Sequence, residues 1–330
     1  MKKNLTIIGN SVIDVLAGPV SEKVFQAGSH PMERIKLSFG GDALNEAVIL
    51  SQLGRKVDLI SKIGDDESGA RILSFLQKHG IPTGNIVVEP QTDTSVNIVL
   101  VDEKGERSFL TNPKGSQRRL SYKDVLPRLE TAADIISFAS IFVSADLDIP
   151  AMTALFREIK KKTGRILVAD MTKAKNGERL EDLRGFLPYI DYLLPNAAEA
   201  ALLTGTEDPF ASAEQLVKAG VSCAVIKCGA KGCVIKTENE WYQIPAYPVK
   251  QCIDTTGAGD CFAAGFLWAL SEGMELEACG RFACAAASCA VEYLGATDGG
   301  LSSDEVFRRY VSIGENGSRV FDSCRDSAIL

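Results

Sequence analysis

The segment Asp254-Thr255-Thr256-Gly257-Ala258-Gly259-Asp260-Cys261-Phe262-Ala263-Ala264-Gly265 sets two carboxylates on either side of a small, glycine-rich turn. Phe262, Phe266 and Leu270 then recur at helical spacing, and Gly273 closes the run, so the turn opens a helix. A helix N-terminus offers backbone N–H donors to an anion, and here a carboxylate shares the same small volume. A transferring phosphoryl group needs that combination: donors for its charge and a base beside the attacking hydroxyl. The plainer reading is an entry turn in which Asp260 only complements the helix dipole. Two glycines and two threonines are more than such a turn requires. Dinucleotide-binding and Walker-type readings fail, because no third glycine completes GxGxxG and no GK[ST] occurs.

A scaffold must hold this turn, and the rest of the chain alternates in the way such scaffolds do. Apolar runs at 5–8, 57–63, 135–143, 166–169, 192–194, 224–227 and 233–236 read as short strands. Between them, 43–53, 69–79, 151–162, 198–203 and 213–219 show helical spacing, several closed by Gly54, Gly80, Gly164, Gly205 and Gly220. The alternation predicts an α/β fold with a central, mostly parallel sheet flanked by helices. Residues from about 12 to 39, and 94–101 followed by 107–111, read as strands without intervening helices; Asp102-Glu103-Lys104-Gly105-Glu106 suits the hairpin turn. These segments, about 12–39 and 94–115, form a small β-sheet inserted in one domain of residues 1–330, a candidate lid. From about residue 312 the chain reads as a loosely ordered polar tail with a short apolar end, Ala328-Ile329-Leu330.

Composition excludes several classes of partner. The 330 residues are 45% hydrophobic and 24% charged, with a net charge of −7 and a pI near 5.1. That balance argues against nucleic acid or an acidic membrane. No run of about 18 apolar residues suggests a spanning helix, and the start reads as a first core strand rather than a signal peptide. Nine cysteines include two sets spaced by five, 223/228/233 and 279/284/289, but no CxxC pair. With only His30 and His79 besides, zinc-type spacing is absent, and reduced thiols in a cytoplasmic protein are expected.

With every signature position filled, Asp-Thr-Thr-Gly-Ala-Gly-Asp-x-Phe resembles the C-terminal signature of the ribokinase or PfkB-type carbohydrate kinases. About 200 residues upstream, Gly40-Gly41-Asp42-Ala43-Leu44-Asn45-Glu46-Ala47, followed by Gly54, Gly64-Asp65-Asp66 and Gly69, resembles their N-terminal sugar-binding pattern. The resemblance spans about residues 5–297 and implies a ribokinase-like fold with a β-sheet lid, ATP and Mg2+ as cofactors, and a small sugar as substrate.

The resemblance also implies roles. Asp260 is the catalytic base, and the N–H groups of Gly257, Ala258, Gly259 and Asp260 form the anion hole. Asp254 sits where members hold a monovalent cation such as K+. Asp14 matches a carboxylate on two substrate hydroxyls, with Gly40, Gly41, Asn45 and Asn97 also facing the sugar. On residue chemistry alone, Gly40-Gly41 also reads as a strand-to-helix turn with Asp42 as N-cap and Asn45 at N3. Asn196 and Glu199 resemble the family's Asn-x-x-Glu motif for magnesium and phosphate, although the same spacing is a helix-capping arrangement. Lys227, Gly229 and Gly232 match the turn beside the nucleotide, where an ordinary glycine hairpin reads the same way. The run around Cys284, ending at Gly295-Ala296, resembles the wall of the adenine pocket, with Cys284 where many members carry Asn.

For the substrate, Asp42 departs from the Gly-Gly-Lys of ribose kinases, and a carboxylate there repels a phosphate, so an unphosphorylated sugar is expected. Gly-Gly-Asp and Gly105-Glu106-Arg107-Ser108-Phe109 look more like fructose and 2-keto-3-deoxygluconate kinases. Those carry Asp-Pro-Asn-x-Arg where this chain has Asp170-Met171-Thr172-Lys173-Ala174, leaving Lys173 or Lys175 as point charges for an acidic sugar. A nucleoside kinase of the same fold and a non-catalytic sugar- or nucleotide-binding member stay open. The strands of the lid, with exposed faces, are expected to pair two subunits as a homodimer.

Overall fold

Consecutive residues of the first strand serve opposite faces: Leu5 and Ile7 pack into one core cluster, Ile8 into another. A strand buried on both sides belongs inside a parallel sheet covered by helices, and the computed structural model has that form. It describes residues 3–21, 24, 28–103, 107–293, 301–315 and 319–322. Gly105, Glu106, the Gly295-Ala296 pair and the apolar end at 328–330 lie outside the described residues.

In chain order the first elements are β1 (Leu5–Ile8), β2 (Val12–Val20), β3 (Arg34–Gly40), α1 (Asp42–Gln52), β4 (Val57–Gly64), α2 (Glu67–Lys78), β5 (Ile86–Glu89), β6 (Val96–Asp102) and β7 (Arg107–Thr111). Next come α3 (Tyr122–Val125), β8 (Ile135–Ile141), α4 (Ile149–Lys160), β9 (Ile166–Met171), β10 (Tyr192–Leu193), α5 (Ala197–Thr204), α6 (Pro209–Lys218) and β11 (Cys223–Lys227). The last are β12 (Cys233–Thr237), β13 (Glu240–Ile244), α7 (Ala258–Glu272), α8 (Leu276–Ala290), α9 (Ser303–Glu315) and β14 (Arg319–Asp322).

Ten strands form one sheet in the order β14-β13-β12-β11-β10-β9-β8-β1-β4-β5. From β5 to β11 every pairing is parallel, and β11 to β14 are antiparallel. One face packs against α1, α7 and α8, the other against α4 and α6. Helices α7 and α8 approach closely because a β-carbon on Gly265 would stand 2.8 Å from that of Ala286. Side chains at the C-terminal ends of the parallel strands therefore emerge into one crevice, the usual ligand position in open α/β sheets.

The four helix-free segments make a separate sheet, β3-β2-β6-β7. Its registers align Asp14 with Ser38 and Asn97, and Asn97 with Thr111, giving a polar row on one face. The adjoining row, Leu37, Val15, Ile98 and Leu110, lies on the other face.

Three expectations need correction. The strand read over 135–143 ends at Ile141, because Phe142 takes a left-handed φ of 73°. Helix α1 is capped by Gly41 at φ 95°, not by Asp42; Asp42 is the first helical residue and Asn45 the fourth. The polar tail is partly regular: α9 runs to Glu315, and 319–322 adds a strand beside β13, with Trp241 opposite Phe321.

Candidate active site

Helix α7 begins at Gly257, whose φ of 72° is open to glycine at little cost. The preceding loop is tied to the end of α8, since Ile253 N–H donates to the Val291 carbonyl at 2.8 Å. Asp254 is buried, and its Oδ1 accepts from the Thr256 N–H at 2.9 Å and the Thr256 hydroxyl at 2.7 Å. This carboxylate shapes the turn. Ala258 N–H makes a long bond of 3.3 Å to the Thr255 carbonyl. The first-turn N–H groups of Gly259 and Asp260 have no intrahelical acceptor, and both residues line the cavity described below.

Asp260 meets the first signature segment directly. Asn45, 5% exposed on α1, donates its Nδ2 to Asp260 Oδ2 at 2.6 Å. Burial pushes the Asp260 carboxyl up to about 6; the Asn45 bond and the Lys227 charge pull against that, while Asp170 and Asp14 add to it. A carboxylate tuned to that range is ionised at neutral pH yet basic enough to accept a proton. The Asn45 Oδ1 is buried without a partner among the described residues.

Asp14 on β2 accepts from Asn97 Nδ2 of β6 at 2.9 Å, and among the described residues Asn97 Oδ1 is likewise buried without a partner. Gly40 lies so close that a β-carbon there would overlap the Asp14 carboxylate. Asp42 accepts from the Ser140 hydroxyl at the end of β8. Burial, then the Asp260 and Asp170 charges, hold the Asp42 carboxyl well above the usual carboxylate range.

At the N-terminus of α5, Asn196 and Glu199 form a reciprocal capping box: Glu199 N–H donates to Asn196 Oδ1 at 2.9 Å, and Asn196 N–H to Glu199 Oε2 at 2.8 Å. Burial raises the Glu199 carboxyl, with the Asn196 N–H opposing. Lys227 ends β11 in an ion pair with Asp170, and the following turn uses Gly229 at φ 58° and Gly232 at φ 89°. Cys284 of α8 is 4% exposed and lies 3.8 Å, sulfur to sulfur, from Cys233. The eight described cysteines are free.

A cavity of about 740 Å³ joins most of these groups. Ala258, Gly259, Asp260, Asn196, Glu199, Lys227, Gly229, Gly232 and Cys284 line it. Asp14, Gly40, Gly41, Asn45, Asn97, Asp254 and Gly257 do not; Asn45 connects to it through Asp260, and Asp254 stays beneath the turn. Asp170 and Ser140 also line the cavity and were not singled out from the sequence. Their signal is a polar residue near the C-terminal end of a buried parallel strand.

Among the described residues, no group of three or more His, Cys, Asp or Glu is arranged to hold a metal ion, and no helix is long and apolar enough to cross a membrane. A magnesium ion bound chiefly by phosphates and water needs only one or two carboxylates. Glu199, on the cavity wall, fits that demand.

A parallel sheet covered on both faces by helices, with a separate small sheet, defines a ribokinase-like α/β fold. The chain belongs to the pfkB family of carbohydrate kinases, whose family model matches residues 2–303. It is 31% identical over 304 residues to a ribokinase of Haemophilus influenzae, covering 90% of this chain and 94% of that one. It is 30% identical over 251 residues to an uncharacterized sugar kinase of Archaeoglobus fulgidus, covering 76% and 97%. The Arabidopsis thaliana ribokinase solved with ribose and ATP superposes with a TM-score of 0.79 at 23% identity, over 94% of this chain and 99% of that one, a likeness of fold.

Proposed function

We propose that this carbohydrate kinase transfers the γ-phosphoryl group of ATP to a hydroxyl of an unphosphorylated sugar, with Asp260 as the base. The observation that carries the reading is Asp260 in the first turn of α7, bonded to Asn45 and bordering the cavity beside the Gly259 N–H. In this account Asp260 orients the sugar hydroxyl and takes its proton as the new bond forms. The N–H groups of Gly257, Ala258, Gly259 and Asp260 lower the cost of charge on the phosphoryl oxygens; the Ala258 N–H must relax its long bond to Thr255 to join them. Magnesium, when bound, neutralises phosphate charge, and Glu199 would hold it. Asp254 organises the turn and is assigned the monovalent-cation site. Asn196, Gly229, Gly232 and Cys284 flank the nucleotide.

The sugar end is rich in acceptors. Asn45 Oδ1 and Asn97 Oδ1 are buried without donors among the described residues, and the Asp14 carboxylate stands beside Asn97. Buried acceptors call for hydrogen-bond donors, and hydroxyls supply them. A fructose-, 2-keto-3-deoxygluconate- or ribose-like sugar fits these demands.

The small sheet, its polar row bearing Asp14 and Asn97, serves as the lid in this reading. Its opposite face bares Ile35 (69% exposed), Leu110 (53%), Leu37 (46%) and Ile98 (42%). A contiguous apolar patch of that kind suits a partner surface, and we assign it to a homodimer. The free thiols suit a reducing compartment, the cytoplasm. Measuring ADP release with ATP and a panel of sugars and nucleosides tests the function: turnover with a neutral sugar supports it, and binding without turnover refutes it.

A further inference from the structure

Lys227, on the cavity wall, reaches the N-terminus of α7. A β-carbon built on Gly259, in the first turn of α7, would lie 3.7 Å from its Nζ. The ammonium thus sits at the helix terminus that offers N–H donors to an anion. Among the described residues lining the cavity, Lys227 is the one Lys, Arg or His. Carboxylates act on it from four elements: Asp42 of α1, Asp170 of β9, Glu199 of α5 and Asp260 of α7.

Both oxygens of Asp170 are engaged. Its Oδ1 accepts from the Met171 N–H at 2.7 Å, and its Oδ2 from Lys227. An ammonium has three donors. One goes to Asp170, and the other two have no acceptor among the described residues. Replacing a buried ion pair by apolar groups is often neutral for stability, so folding alone gives little reason for this one. Burial drives the Lys227 ammonium towards neutrality, but the charge and hydrogen bond of Asp170, together with the Glu199 and Asp260 charges, outweigh it and keep the proton on.

We infer that Lys227 is a further catalytic residue, hydrogen-bonding the phosphoryl group as it passes from nucleotide to sugar, and that Asp170 is the positioning residue holding it there. In the step, the bond from the γ-phosphorus to the nucleoside diphosphate breaks and the bond to the sugar oxygen forms. Asp260 takes the hydroxyl proton, and Lys227 keeps its own. The inference rests on the proposed phosphoryl transfer and deepens it.

The test compares Lys227→Met, Asp170→Asn and the double variant, measuring kcat, KM and the equilibrium affinity for a fluorescent ATP analogue. The double variant neutralises both members of the Lys227–Asp170 pair and so leaves Asp170 no unpaired charge, which keeps the comparison open if Lys227→Met folds poorly. Loss of an interaction made only in the transition state lowers kcat by about 100-fold or more while nucleotide affinity stays within about threefold. If Asp170 acts through Lys227, Asp170→Asn alone also lowers kcat but costs nothing further in the Lys227→Met background. Lys227→Met with unchanged kcat and weakened nucleotide binding overturns the inference, as does a full additional loss from Asp170→Asn in that background. A wild-type protein inactive on every sugar would instead sink the kinase reading itself, a distinct outcome.

Discussion

The Nδ2 of Asn45 lies 2.6 Å from Oδ2 of Asp260, a hydrogen bond that closes 215 positions of chain. It joins the N-termini of α1 and α7, the two helices opened by the glycine-rich segments. The sugar-side and phosphoryl-side motifs thus share one contact. A change on either helix is felt at the base.

The raised Asp260 pKa sets a pH dependence. A base must be ionised, and burial lifts this carboxyl to about 6. The kcat/KM profile is therefore expected to be flat above that value and to fall about tenfold per pH unit below it. A profile unchanged down to pH 4.5 would show that Asp260 is not the titrating base.

Gly40 has no room for a side chain, because its β-carbon would fall on the Asp14 carboxylate. Gly40→Ala is expected to raise the sugar KM by about tenfold or more through displacement of Asp14, with little change in the KM for ATP. Steady-state kinetics in both substrates check it; equal loss for both substrates would point to a general defect.

Glu46 is 1% exposed, and Ser137 Oγ donates to it at 2.8 Å. Burial holds its carboxyl well above the usual range, with the Ser137 bond opposing. The folded state therefore keeps this proton at pH values where the unfolded chain has lost it, and stability falls as pH rises through the folded pKa. Relative to wild type, Glu46→Gln should leave Tm nearly unchanged at pH 5 and raise it at pH 9. A Tm difference independent of pH would contradict the assignment.

Leu37 and Ile98 lie in one exposed row of the small sheet. Light scattering is expected to give a dimer for the wild type and a monomer for Ile98→Lys. A monomeric wild type at tens of micromolar would remove the dimer from the account.

Local patterns were legible where their causes are local. The 5–8 strand matches β1 in full, and Gly205 and Gly273 close α5 and α7 in the left-handed conformation. The 254–265 turn was legible because its chemistry lies within a few residues. Strands β5, β13 and β14 were not read. Arg319–Asp322 owes its extended form to pairing with β13, a partner some 80 residues away, and no alternation within four residues reveals that. Asp170 likewise reads as the end of an apolar run; its meaning comes from Lys227, 57 positions on, across β10. Asp42 looked like a cap, yet Gly41 caps α1 and Asp42 turns to Ser140.

The most direct test is turnover of the Asp260→Asn variant beside the wild type, in a coupled assay for ADP with the best sugar of the panel. The account predicts robust wild-type turnover, a fall in kcat of about 100-fold or more in the variant, and a sugar KM changed by no more than about threefold. Near-normal turnover in the variant would contradict it.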